Sequence, residues 1–297
     1  MNLNALFSLY GAEPKQTEFH DSSRGVDDLR KTYIVEFSNG EKYAVKVCKN
    51  TFTTPERVKG WAELIEHYNR LNIYCPKIVH NRYGDYTAQI DGCLVYAEEY
   101  MKYQPAAGRN DAASGEQKYE KQLYESVGLV AANPAPLVPW HTAYCIYDKF
   151  DENDIYDENL ECAIATRDFY RDNIPEHAAK AEALFGEFCR RREKFESLYR
   201  SLPKSVFQGD LNSSNILVDR DGSFKGLIDF NLSGTETILN YAFCESYGCL
   251  EDDSEIDLLL DPDALTKRDG QTKQRLSWIG THYKFTDAEK EAFGEYY

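Results

Sequence analysis

The segment Gln208-Gly209-Asp210-Leu211-Asn212-Ser213-Ser214-Asn215, followed by Asp229-Phe230-Asn231, holds two carboxylates and a carboxamide that one hairpin can gather. Oxygen donors of this kind suit Mg²⁺, which keeps several waters and binds through one or two carboxylates plus the phosphates of its substrate. The residues between them supply the hairpin. Ile216-Leu217-Val218 and Phe224-Lys225-Gly226-Leu227-Ile228 are β-rich runs that flank Asp219-Arg220-Asp221-Gly222-Ser223, and Asp-Gly is a strong two-residue hairpin signal. With Asp221-Gly222 as the turn, Val218 faces Lys225 and Asn215 faces Ile228. Opposed residues have Cβ atoms about 5 Å apart, so Asn215 and Asp229 emerge together at the open end. Asp210 lies on the loop that enters the same end.

A second hairpin lies far upstream. Residues 31–37 and 42–48 flank Ser38-Asn39-Gly40-Glu41, where Asn39-Gly40 supplies the positive φ angles of a type I′ turn. Period two sets Ala44 and Lys46 on one face of the second strand and Tyr43, Val45 and Val47 on the other. A small side chain beside a lysine leaves room for a flat base and then offers a point charge to phosphates. A solvated lysine on an outer sheet face is the alternative, and the company of Asp210, Asn215 and Asp229 overturns it. Asp21-Ser22-Ser23-Arg24-Gly25 joins a first strand near residues 17–20 to this hairpin. Backbone N–H groups at Ser22 and Ser23 can approach a nucleotide phosphate, or the segment is an ordinary surface turn. Thr54-Pro55 opens a helix to about Leu71, with Val58, Trp61, Leu64, Ile65, Tyr68 and Leu71 as its apolar stripe. A strand near residues 93–100 runs into Glu98-Glu99-Tyr100-Met101, which in a bilobal kinase would be the hinge whose backbone, at Glu99, meets the adenine edge, with plain solvent exposure as the alternative.

These motifs resemble the aminoglycoside phosphotransferase and choline kinase-like group of small-molecule kinases, whose signature reads His-Gly-Asp-x-x-x-x-Asn and then Ile-Asp-Phe or Ile-Asp-Trp. Residues 207–215 and 227–230 match it, and the motif order is similar from about Thr17 to Asn240. The resemblance implies an α+β, bilobal protein-kinase-like fold, with an antiparallel β-sheet lobe carrying one main helix ahead of a mainly helical lobe. It implies that Asp210 is the catalytic aspartate, that Asn215 and Asp229 hold Mg²⁺, and that Lys46 touches the phosphates of ATP or GTP. Gln208 stands in place of the usual histidine and Asn231 follows Asp-Phe where glycine is common. A kinase-like helix glutamate is also missing, because Trp61 takes its register and Glu63 and Glu66 fall on neighbouring faces, so the partner of Lys46 stays open. Serine/threonine kinases carry a lysine two residues after the catalytic aspartate. Here that position is Asn212, and no Ala-Pro-Glu follows Asp229, so a protein substrate is not expected.

At 297 residues and 42% hydrophobic content the chain can build a sizeable core. Residues 1–103 read as the nucleotide-binding lobe and 104–297 as the helical catalytic and acceptor lobe, with helices near 115–132, 159–172 and 175–202. In the last of these, Ala181, Phe185, Phe188, Phe195 and Leu198 form the apolar face. No stretch approaches a membrane span and no basic leader precedes an apolar run, which points to a cytoplasmic protein without a membrane partner. The cysteines lack the pairing of a zinc site or disulfide framework. A formal charge of −16 repels nucleic acid and attracts cations. The acidic runs at 148–161 and 251–257 suit a cationic hydroxyl acceptor such as an aminoglycoside or amino alcohol, with a generic acidic surface as the alternative. The second functional reading is a nucleotide-binding regulatory module without turnover, as a monomer or homodimer like the first. Thr286-Asp287-Ala288-Glu289 is a capping box that opens a helix close to Tyr297, and the natural polypeptide is expected to continue past it.

Overall fold

The computed structural model describes residues 3–11, 13–107, 118–152, 154, 158–247 and 262–296. The chain divides into two compact units, one of residues 1–123 with 208–233 and the other of residues 124–207 with 234–297. The predicted helix start near Gly115, the acidic run 251–257 and part of the run 148–161 lie outside the described residues.

The first unit begins with α1 (Leu3–Phe7) and an antiparallel sheet of β1 (Pro14–Asp21), β2 (Leu29–Phe37), β3 (Lys42–Lys49), β4 (Ile78–Val79), β5 (Ala88–Ile90) and β6 (Cys93–Glu99). Its order is β1-β2-β3-β6-β4, with β5 also pairing β6. Strand alternation divides the sheet into two faces. Val35, Phe37, Val45, Val47, Val95 and Ala97 pack with Leu6, Phe7, Leu9 and Tyr10 into one apolar cluster. Ala44, Lys46, Tyr96 and Glu98 therefore take the other face, in a register that pairs Ala44 with Glu98 and Lys46 with Tyr96. Helix α2 (Pro55–Arg70) buries Val58, Trp61, Leu64, Ile65 and Tyr68, and its Trp61 ring lies 5.9 Å from that of Tyr96. The Thr54 hydroxyl caps this helix by accepting from Arg57 N at 3.2 Å, which satisfies one of the donors that a helix start leaves open.

Further along, β7 (Gln104–Pro105), β9 (Ile216–Val218) and β10 (Phe224–Leu227) form a small antiparallel sheet. Both hairpin turns differ from the two-residue expectation. Positive φ occurs at Gly40 and Gly222 but not at Asn39 or Asp221, so neither turn is type I′. Instead Gly40 N donates to Phe37 O and Gly222 N to Asp219 O, each glycine closing a longer turn. In the second hairpin this shifts the register: Val218 pairs with Phe224, and an irregularity at Lys225 brings Leu217 opposite Gly226. The bulge absorbs the extra residue, and Ile228 N still donates to Asn215 O at 3.0 Å.

The described elements also include α3 (Lys118–Ala132), α4 (Glu158–Asn173), α5 (Pro175–Ser201), β8 (Lys204–Phe207), β11 (Gly234–Thr237), α6 (Ile238–Tyr247), α7 (Pro262–Ile279) and α8 (Asp287–Ala292). In the second unit β8 pairs with β11, and Phe207 stacks on Tyr241 at 4.4 Å. Of the apolar face predicted for α5, only Phe195 is fully buried, joined by Tyr199. Ala181, Phe185, Phe188 and Leu198 are half-buried; over its amino-terminal part α5 packs against α4, and a pair of helices encloses little between them. The capping box at Thr286 and Glu289 is formed. Among the described residues no helix is long and apolar enough to cross a membrane.

Candidate active site

The loop that carries Asp210 is shaped by Gly209 and Gln208. Gly209 has φ +88, and a Cβ there would sit 2.2 Å from Leu232 O. The Gln208 side chain is fully buried and uses both ends of its amide. Its Nε2 donates to Ile228 O at 2.9 Å and to Asp229 O at 2.7 Å, while its Oε1 accepts from Asp210 N at 2.7 Å. Gln208 thus joins the loop that carries Asp210 to the strand end that carries Asp229. Tyr68 on α2 supports both, since its hydroxyl accepts from Gln208 N at 3.2 Å and its ring meets Phe230 edge-on at 5.3 Å.

Asp210 is held from two sides. Asn212 Nδ2 donates to its Oδ1 at 2.7 Å and Asn215 Nδ2 to its Oδ2 at 3.0 Å. Burial pushes the Asp210 carboxyl above its ordinary value, the bonds from Asn212 and Asn215 pull it down, and the charge on Asp229 pushes it up again. Asp229 adopts φ +58, a left-handed conformation that costs a non-glycine residue on the order of 1–3 kcal/mol and survives where its surroundings impose it. Here the Gln208 amide on its carbonyl and the buried Phe230 beside it do so.

Lys46 reaches this cluster from the sheet. Its Nζ lies 3.1 Å from Asp229 Oδ1 and 3.1 Å from Glu98 Oε1. Burial alone would lower the ammonium group, and Asp229 and Glu98 overcome it, leaving the group well above the ordinary lysine range. The Lys46–Asp229 pair and the Asp210–Asn215 pair are joined through the Gln208 amide within one unit. Ala44 shares the Lys46 face, opposite Glu98. Ser22 and Ser23 lie in an exposed segment where Ser22 N donates to Arg30 O and Ser23 N to the Asp21 carboxylate, so both N–H groups predicted to meet a phosphate are already engaged. Glu99 ends β6, its N–H given to Lys77 O.

The family model of the phosphotransferase enzyme family matches residues 24–239. The chain belongs to that family. It is thus an enzyme of the small-molecule kinase type, and the protein-kinase-like α+β fold is shared with solved structures at low identity. An amicoumacin kinase solved with AMP-PNP and Ca²⁺ matches with TM-score 0.58 and 13% identity over 99% of this chain and 80% of the other. An aminoglycoside phosphotransferase from Streptomyces rimosus, solved with ADP and streptomycin, matches with TM-score 0.52 and 12% identity over 100% and 96%. Comparison with curated proteins gives no match.

Three residues of this phosphotransferase escaped the motif reading. Glu98 supplies the acid beside Lys46, from a strand and not from a helix. Its carboxyl is raised by burial, which Lys46 opposes. Asn212 holds Asp210, and Gln208 does the joining described above. A glutamate flanked by Tyr96, Ala97 and the apolar run before them was the available signal for Glu98. For Mg²⁺, the donor set fits: Asn215 spends its amide N–H on Asp210 and Lys46 takes Asp229 Oδ1, which leaves Asn215 Oδ1 and Asp229 Oδ2 as hard oxygen donors.

Proposed function

We propose that this phosphotransferase moves the γ-phosphoryl group of Mg²⁺-bound ATP or GTP to a hydroxyl of a small molecule, cationic in the manner of an aminoglycoside or amino alcohol. The observation that carries the reading is the convergence of Lys46 and Asp229 at 3.1 Å with Asp210 and Asn215 at 3.0 Å in one hydrogen-bonded cluster. Lys46 meets the phosphates, and the base lies over Ala44. Asn215 and Asp229 hold the Mg²⁺, which neutralises phosphate charge when bound. Asp210, fixed by Asn212, orients the acceptor hydroxyl and takes its proton as the oxygen attacks phosphorus in line and the bond to the nucleoside diphosphate breaks. Positioning and charge neutralisation supply most of the acceleration. The cationic acceptor is favoured by the formal charge of −16.

Two departures from the family motif favour a binding module without turnover, and both have a counterpart in the structure. Gln208 makes three hydrogen bonds where the histidine would stand, and Glu98 is the acid that α2 lacks. The experiment is release of ADP or GDP from the triphosphate over a panel of aminoglycosides, amino alcohols and sugars, with the product followed by phosphorus NMR. Acceptor-dependent release that stops when EDTA removes the metal is expected. Nucleotide bound but unconsumed across the panel would favour the module.

A further inference from the structure

We infer that Glu98 is the positioning residue for Lys46, the acid that holds the ammonium group toward the nucleotide phosphates while Asp229 would divide its two oxygens between Lys46 and a metal ion. The inference rests on the nucleotide-binding reading above. In protein kinases the strand lysine is held by a glutamate on the helix beside the sheet, and the pair forms only when that helix is in place. Here both halves of the pair stand on one sheet. β3 and β6 are adjacent antiparallel strands in which Ala44 pairs with Glu98 and Lys46 with Tyr96, so Lys46 and Glu98 are diagonal neighbours on the same face. That spacing, about 7 to 8 Å between backbones, is within reach of long side chains, and the observed contact is 3.1 Å.

None of the three glutamates of helix α2 is paired with Lys46, and Glu56 is exposed in its first turn. Trp61 fills the space that faces Tyr96, Glu63 points to Lys59 in the open, and Glu66 pairs with Lys77 at 2.9 Å. The Glu98 side chain is 13% exposed, a burial at which a carboxylate is costly unless a cation accompanies it. Asp229, in contrast, is 35% exposed and has a second claim on its oxygens as a metal ligand. Of the two acids on Lys46, Glu98 is the one with no second role assigned to it. The backbone ladder fixes this clamp in place, and a shift of α2 leaves it intact.

The test is calorimetric affinity for Mg²⁺ with AMP-PNP, together with separate KM values for triphosphate and acceptor. Glu98→Gln keeps the shape and removes the charge. It should weaken nucleotide affinity about tenfold or more, the size of one charged hydrogen bond, with the acceptor KM unchanged. Glu98→Asp should recover part of the loss, while Glu63→Gln and Glu66→Gln should bind as the wild type does. In a Lys46→Met background the Glu98→Gln effect should vanish, as it must if Glu98 acts through Lys46. Wild-type affinity in both Glu98 variants, an equal loss in the α2 variants, or a full Glu98→Gln effect without Lys46 would each overturn the clamp alone. A wild-type protein that binds no nucleotide would overturn the proposed function, and the clamp with it.

Discussion

Asp210→Ala lowers kcat by about 10²- to 10⁴-fold, the contribution expected of a positioned general base, while nucleotide affinity stays near that of the wild type. The split follows from the geometry. Both carboxylate oxygens are occupied by the amides of Asn212 and Asn215, which orient the group for proton transfer, whereas Lys46 and Asp229 are the groups assigned to the nucleotide. Asp210→Asn keeps the shape of the side chain and removes its basicity, so it should match the alanine variant in rate, with a modest loss of melting temperature because its NH₂ group faces one of the Asn212 and Asn215 amide donors. The pH profile carries the sign of the same assignment. A general base works deprotonated, so kcat/KM should rise with pH through the Asp210 titration and then level off. Burial is the main cause that places this titration above the ordinary carboxylate value, with the amides of Asn212 and Asn215 opposing it and Asp229 reinforcing it. Steady-state rates across pH check the kinetic statements, a nucleotide titration checks the affinity and thermal melting checks the stability of the asparagine variant. An alanine variant with wild-type kcat would remove Asp210 from the chemistry.

Gly209→Ala destabilises the protein by about 2–5 kcal/mol, the sum of a left-handed penalty for alanine and of overpacking against fixed backbone. At φ +88 the added methyl would stand 2.2 Å from Leu232 O and 2.7 Å from Leu232 C, atoms that cannot rotate away as a side-chain tip can. The loop must move instead, and with it Asp210, the Gln208 bridge and the approach of Asp229 to Lys46. Melting temperature should fall by roughly 5–15 °C at this chain length, and activity should fall further than stability alone explains. Gly186→Ala is the control. It lies within α5, and a Cβ there meets nothing within 4 Å, so the substitution should be neutral or stabilising by up to about 1 kcal/mol. Equal melting temperatures for Gly209→Ala and the wild type would show that the loop is not held as described.

What was legible in the sequence follows the range of each interaction. The hinge of α2 on Thr54 and Pro55 is local, and the structure has that cap. The two faces of β3 follow from period two, and Val45 and Val47 indeed lie in the cluster with α1. The turns were less legible. Asp221-Gly222 and Asn39-Gly40 read as two-residue turns because the dipeptide is the strongest short signal, but only the glycines take positive φ, and the resulting bulge at Lys225 moves the opposite partner of Val218. Glu98 was legible only as an acid at the end of an apolar strand; its place beside Lys46 depends on the register of β3 against β6, which no local pattern fixes. Gln208 looked like a lost histidine, since the sequence does not show that three backbone groups converge where one amide can serve them all. The α5 face failed for a different reason: its periodicity is real, but periodicity states which side is apolar and not whether anything covers it.

The measurement that bears most directly on the central claim is electron paramagnetic resonance of Mn²⁺, standing in for Mg²⁺, titrated into the protein with AMP-PNP. The account predicts an immobilised Mn²⁺ signal that requires the nucleotide and is lost, or weakened at least about tenfold as expected for metal-site ligands, in Asp229→Asn and Asn215→Ala. Wild-type binding of the metal and nucleotide in both variants would contradict it.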